Sequence, residues 1–166
     1  MHYISTRGGV APTDFKGALL NGLAADGGLY VPESVPTLTP AEISALAGLS
    51  YPELALKIIT PFVGNCFSPA ALKAMIDKAY GSFRHAAVAP LTQLSHNHFL
   101  LELFHGPTLA FKDLAMQFLA RLMDHALELR GERVTIVVAT SGDTGGAAVE
   151  AFRGRNRIDL VVLFPD

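Results

Sequence analysis

The chain has 166 residues, half of them hydrophobic and 17% charged, with a net charge of −2 and a single cysteine. This is enough apolar material for a packed core, and too much for disorder. The balance of charge excludes an electrostatic footprint for nucleic acid, and one cysteine excludes an intramolecular disulfide framework or a CxxC metal site. No apolar run reaches the ~20 residues that span a bilayer. The opening "MHYISTRGG" has no signal-peptide core, so the sequence predicts a reduced, cytoplasmic setting with no membrane partner.

In chain order, "APTDFKGALLNGLAADGG" predicts a helix capped by Thr13, with Phe15, Leu19, Leu20 and Leu23 at helical spacing and a stop at Gly27-Gly28. "LTPAEISALAGL" sets Thr39 as cap, Pro40 at the first helical position and Glu42 three residues after the cap, a capping box. "SYPELALKII" repeats that arrangement with Ser50, Pro52 and Glu53, and "SPAALKAMIDKAY" opens on Ser68 and Pro69. Residues 1–85 therefore read as a small, mainly helical domain. The pattern then changes. "VAPLTQL" and "HFLLELF" predict short strands around the turn "SHN", and "LAFKDLAMQFLARLMDHALELRG" predicts a helix over about 110–130, closed by Gly131. "RVTIVVAT" and "IDLVVLFPD" are apolar runs without alternation, expected of strands buried on both faces, and "SGDTGGAAVEAFRG" between them predicts a glycine turn into a helix. Strand, turn, helix and strand make a βαβ unit, so residues 86–166 predict an α/β domain with a parallel sheet. So few strands leave apolar faces uncovered, which predicts the amino-terminal part of a longer protein or completion by other chains.

Two constellations carry chemistry. In "ATSGDTGGAA", Gly142, Gly145 and Gly146 allow close backbone approach, Ser141 and Thr144 add hydroxyls, and the following helix start favours an anion. The spacing fits neither a P-loop nor a dinucleotide fingerprint nor a nucleophile elbow, so the turn reads as a cradle for a small carboxylate or phosphate. The alternative is a plain capped βα turn. In "FHGPTLAFKD", the turn His105-Gly106-Pro107-Thr108 leads to Lys112 in the first turn of the next helix, among Leu109, Ala110 and Phe111. The helix dipole and the apolar neighbours both oppose a fixed positive charge there, the requirement for a lysine that forms imines. The alternative is a solvent-facing Lys112 paired with Asp113 or Asp124. An imine-forming lysine followed by an anion cradle suits a pyridoxal-phosphate enzyme acting on an amino acid.

"ELFHGPTLAFKDLAMQF" with "ATSGDTGGAA" resembles the fold-type II pyridoxal-phosphate enzymes and, within them, threonine synthase. "YISTRG" and "LLNGLAADGGLYVPESVP" resemble the small amino-terminal domain of that family, so the resemblance covers essentially the whole chain. It implies a small amino-terminal domain (1–85), then the first part of the catalytic α/β domain (86–166). It also implies the conversion of O-phospho-L-homoserine and water to L-threonine and phosphate. Lys112 matches the Schiff-base lysine, with Thr108 and Phe111 walling the cofactor pocket. Ser141, Gly142, Thr144 and Gly145 fall in the loop that binds the substrate carboxylate. Asp143 matches the residue beside the cofactor 3′-oxygen, where many relatives carry Asn. Apart from the resemblance, His105, seven residues before the lysine, either orders its own turn or contacts substrate phosphate. The family's cofactor-phosphate loop and pyridine-nitrogen contact match nothing before Asp166, so residues 1–166 alone are not expected to hold the cofactor tightly. A phospholyase that releases a 2-oxo acid shares this half of the chain, and a non-catalytic domain of the same fold is the remaining alternative.

Other residues have simpler readings. His96 and His98 decorate a hairpin turn, with no metal site expected. Arg7 pairs on the surface, and Cys66 is a small buried hydrophobe. Met116, Phe118, Leu119, Leu122 and Met123 form the core face of the long helix. Oligomeric state is not legible in the sequence.

Overall fold

The structure is a computed structural model, which describes residues 1–165; Asp166 lies outside them. The chain divides into two compact units, Met1–Ala74 and Met75–Asp166.

The first unit holds β1 (Tyr3–Ser5), α1 (Phe15–Asn21), β2 (Tyr30–Pro32), α2 (Pro40–Ser44) and α3 (Tyr51–Val63), and the start of α4 (Pro69–Tyr80). The helix starts obey local rules. Thr39 and Glu42 form the expected capping box, with Thr39 N donating to Glu42 Oε2 at 2.7 Å and Glu42 N to Thr39 Oγ1 at 3.3 Å. Glu53 accepts from Ser50 N at 2.8 Å, and Ser68 Oγ accepts from Ala71 N at 3.2 Å. The expected Thr13 cap is displaced by one residue. Asp14 Oδ1 accepts from Gly17 N at 2.7 Å, while the Thr13 backbone is taken up by a two-way bridge to Tyr3. A carboxylate reaches that N–H as well as a hydroxyl does, and tertiary pairing decides which residue is left to cap. Apolar burial rests on Val63, Phe67 and Leu72, joined by an edge-to-face chain from Tyr3 through Phe15 to Phe67. Cys66 is only half-buried, and its thiol donates to Asp14 Oδ2 at 3.5 Å. It is a polar contact rather than core filler.

β1 and β2 pair antiparallel, and their ends are tied by one carboxylate. Asp26 accepts from Ser5 Oγ (2.7 Å), Gly9 N (2.8 Å) and Gly28 N (2.9 Å), drawing "STRGG" and "DGG" together. Arg7 adds a bond from Nη1 to Asp26 O at 3.1 Å. The Gly28 N–H, then the Ser5 hydroxyl and the Gly9 N–H, and finally the charge of Arg7, hold the Asp26 carboxyl below its ordinary range. Gly28 is buried, and a Cβ there would collide with Ser5 Oγ.

The second unit contains the rest of α4 and a hairpin, β3 (Leu91–Ser95) and β4 (His98–Leu101), with a register shift between Gln93 and Ser95. Then come α5 (Asp113–Arg130), β5 (Val134–Ala139), α6 (Asp143–Phe152) and β6 (Ile158–Leu163). β5 and β6 pair parallel, Val134 opposite Ile158 through Ala139 opposite Leu163, the expected βαβ unit. Gly131 closes α5 in the left-handed conformation, as its sequence implies. Ala147, Ala148 and Ala151 are fully buried on α6, as are Ala120 and Ala126 on α5, and such small side chains let the two packed helices approach closely.

Two expectations change here. The strands alternate: Ile136, Val138, Leu160 and Val162 turn toward the helix side, while Val137, Val161 and Leu163 are exposed. The described residues cover one face of this pair, so the apolar runs are not buried on both. On α5 the most buried line is Asp113, Gln117, Ala120, Leu122, Ala126 and Leu127; Met116, Phe118, Leu119 and Met123 are only partly covered. A polar line runs down this face at four-residue steps. Arg121 Nη1 bonds Gln117 Oε1 at 3.0 Å, and burial, followed by the charge of Arg155, lowers the Arg121 guanidinium to about 10.

Topology sets where the helices begin. α5 reaches β5 through residues 131–133, and Asp124 Oδ1, late in α5, accepts from Arg157 N just ahead of β6. α6 likewise returns to β6 through residues 153–157. Both helices end at the amino edge of the strands, so Lys112 and Gly142 start them toward the carboxyl edge, where open α/β sheets bind ligands.

Substituting Gly28→Ala should destabilise the first unit by about 1–3 kcal/mol through overpacking, read by denaturant titration. Asp26 adds a pH dependence of known sign. Its folded carboxyl titrates below the unfolded one, so its stabilisation is complete above the unfolded value of about 3.9 and is lost as pH falls through the folded value. The thermal midpoint should drop on acidification through this range, and Asp26→Ala should remove that part of the drop.

Candidate active site

The lysine-bearing turn is built on a buried carboxylate. Asp113, the first residue of α5, is fully buried. Its Oδ2 accepts from Thr108 N and its Oδ1 from Thr108 Oγ1, each at 2.8 Å. Gly106 is buried against it, and a Cβ at that position would collide with the Asp113 side chain. Leu109 adopts φ 66°, a left-handed conformation that costs a bulky residue roughly 1–2 kcal/mol. The turn therefore holds local strain of the kind that recurs at functional sites.

Lys112 stands at the N-cap of α5 with helical dihedrals, one residue ahead of the helix rather than inside its first turn. It is half-buried, and its Nζ lies 4.3 Å from the centroid of the Phe111 ring. Of the two acids in the alternative reading, Asp113 is engaged with Thr108, and Asp124 lies late in α5, bonded to Arg157 N. No salt bridge joins Lys112 to an acidic group among the described residues. A primary amine left without an acid partner at a helix start fits the donor chemistry that an aldehyde cofactor requires.

His105 is held by Glu102, with Nε2 and Oε2 2.7 Å apart, and its ring lies 5.0 Å from that of His85. Glu102 also accepts from Thr92 Oγ1 at 3.0 Å. The His105 bond, then the Thr92 hydroxyl, hold the Glu102 carboxyl below its ordinary range. One nitrogen of His105 is thus committed within the fold. His96 and His98 sit at the hairpin turn and the start of β4. Among the described residues, no group of three or more His, Cys, Asp or Glu side chains is placed to hold a metal ion.

The glycine loop follows β5. Ser141, Gly142 and Asp143 are exposed, Thr144 is half-buried, and Gly142 is the N-cap of α6. Its glycines differ in role. Gly145 is buried, and a Cβ there would collide with Thr140 Cγ2 and lie 3.2 Å from Val162 Cγ1, so it permits helix-on-strand packing. Gly142 and Gly146 face open space, where no protein atom demands a glycine. Lys112, Thr108 and Phe111 thus share one turn, and Ser141, Gly142, Asp143, Thr144 and Gly145 another, at the starts of two packed helices. Sequence spacing marks neither Asp113 nor Glu102 as a site residue. Asp113 is visible in the "FKD" motif, but only the fold shows that it points away from its neighbour.

The parallel βαβ unit, with a lysine at the start of one helix and an open glycine loop at the start of the next, is the opening of a fold-type II α/β domain. The family described as threonine synthase N terminus matches residues 2–80. Threonine synthase of Pseudomonas aeruginosa is 53% identical over 165 residues, covering 99% of this chain and 35% of that protein. Threonine synthase-like 2 of Homo sapiens is 42% identical over 166 residues, 99% of this chain and 34% of that protein. A crystal structure of pyridoxal-phosphate-bound threonine synthase from Brucella melitensis superposes with a TM-score of 0.98 at 58% identity, covering 100% of this chain and 36% of that one. The yeast threonine synthase structure gives 0.94 at 36% identity, with 99% and 35% covered. Over its whole length the chain matches the amino-terminal part of threonine synthases, and it spans about a third of the length of the curated relatives it matches. No helix of the described residues is long and apolar enough to cross a membrane.

The glycine loop yields a paired test. Gly145→Ala should destabilise the second unit by about 1–3 kcal/mol. Gly146→Ala, in a helix with open space around it, should stabilise the ligand-free protein by about 0.5–1 kcal/mol. Chemical denaturation of both variants separates a packing glycine from one kept for a ligand.

Proposed function

We propose that this chain supplies the reactive lysine and the substrate-carboxylate loop of a threonine synthase. In that protein, O-phospho-L-homoserine and water yield L-threonine and phosphate. The observation that carries this is Lys112: half-buried at a helix start, with the adjacent Asp113 carboxylate turned to Thr108. The likeness over the whole chain to a pyridoxal-phosphate-bound threonine synthase supports the same reading.

Pyridoxal phosphate, when bound, supplies an electron sink that lets protons leave carbons next to the substrate amine. Lys112 Nζ would be the amine that holds its aldehyde, and the same amine would serve as base and acid for the substrate protons. Phe111 and Thr108 would wall the cofactor, and Asp143 would be the residue at its 3′-oxygen. Ser141, Gly142, Thr144 and Gly145 hold the substrate carboxylate with hydroxyls and the main-chain N–H groups that open α6. His105, oriented by Glu102, reaches toward the substrate phosphate. Contacts to the cofactor phosphate and pyridine nitrogen are assigned to no residue of this chain.

Lys112→Ala in the full-length natural protein should lower threonine formation by at least about a thousandfold while leaving the thermal midpoint of the cofactor-free protein close to wild type. Unchanged activity would remove the catalytic assignment. Product analysis with O-phosphohomoserine decides the reaction outcome. Threonine is expected, and 2-oxobutyrate as the sole product would identify a phospholyase instead.

A further inference from the structure

The residue next to Lys112 in the chain has a second role. We propose that Asp113 is a positioning residue, whose buried carboxylate clamps the Gly106–Thr108 turn and, by facing that turn, leaves Lys112 without an acid partner. This rests on Lys112 being the cofactor lysine.

The geometry is specific. Asp113 N donates to Ala110 O at 3.0 Å, Leu109 N to Gly106 O at 3.2 Å and Ala110 N to Thr108 Oγ1 at 3.4 Å, so the five residues from Thr108 to Lys112 form a short loop closed at both ends. The Asp113 carboxylate closes it from inside with its two 2.8 Å bonds to Thr108. A carboxylate accepts but does not donate, and it can engage a main-chain N–H and a hydroxyl at once. Leu109 takes its left-handed conformation inside this loop. Gly106 is part of the device, since only a residue without a Cβ lets the Asp113 side chain into this space. Were Asp113 released, its carboxylate would be free to turn toward solvent and pair with the neighbouring ammonium, and Lys112 would lose both its fixed start point and its unpaired state.

The side-chain amide of Asn separates the bonds from the charge. Asp113→Asn can accept from Thr108 N through Oδ1 and donate to Thr108 Oγ1 through its NH₂ group. It keeps a two-point clamp with no negative charge. Asp113→Ala keeps neither, and Gly106→Ala pushes the native carboxylate out.

The test uses the full-length natural protein, with pyridoxal phosphate as probe. Borohydride fixes the adduct, mass spectrometry counts it at Lys112 against cofactor concentration, and unfolding is followed without cofactor. Asp113→Ala and Gly106→Ala should each raise the half-saturating concentration roughly tenfold to a hundredfold. The double variant should lose no more than the worse single one, because both break the same contact. Asp113→Asn should restore most of the loss. Wild-type trapping in a folded Asp113→Ala protein would overturn the proposal, as would an Asn variant no better than Ala. If Asp113→Ala does not fold, an impaired Gly106→Ala beside a competent Asp113→Asn supports the clamp, and the reverse order refutes it. No adduct at Lys112 in the wild type would overturn the underlying reading of the site; equal adduct in all variants would overturn the clamp alone.

Discussion

The site depends on where one buried carboxylate points. Asp113 lies at the start of α5, where the helix dipole favours negative charge, and is fully enclosed, so it must be satisfied within the protein. The Thr108 N–H and hydroxyl satisfy it. That choice shapes the turn, requires Gly106, accommodates a left-handed Leu109 and leaves the adjacent lysine beside an aromatic ring instead of an acid. A carboxylate facing the other way would have made "FKD" an ordinary surface ion pair, worth little energetically and inert chemically.

The first unit uses the same device for a structural end. Asp26 gathers three donors from two glycine-rich segments, as Asp113 gathers two from one turn. In both places a short acidic side chain serves as the hub of an irregular loop, and a glycine beside it supplies the room. Charge-assisted bonds of this kind are stronger than neutral ones and can hold backbone that has no ladder or helix to support it. "STRGG", "DGG" and "HGPT…FKD", which lie within stretches that carry the family resemblance, belong to these hubs.

Features governed by neighbours in sequence were legible from residues alone. The Thr39–Glu42 box, the Ser68 cap, the Gly131 stop and the parallel βαβ unit all follow from local spacing, because the groups involved lie within one turn or one crossover. Features that depend on distant partners were not. Thr13 reads as a cap until its backbone is seen bridged to Tyr3, which passes the role to Asp14. "TIVVA" and "LVVL" read as doubly buried because hydrophobicity alone cannot say which face has a neighbour, and the structure shows alternation instead. On α5 the Met and Phe positions look like the core stripe, but Asp113, Gln117 and Arg121 run along the more enclosed side. Lys112 and the glycine loop stood out as chemistry; Asp113 did not, since an acid beside a lysine suggests attraction before orientation.

The exposed side of the β5–β6 pair has a consequence for handling the polypeptide. Val137 faces Val161 across the rungs, Ala139 faces Leu163, and Phe164 follows, all open to water and aligned in register. An apolar ribbon with unpaired strand edges among the described residues is the kind of surface that templates self-association. A polypeptide of only these 166 residues would be colloidally fragile for a reason unrelated to its catalytic lysine.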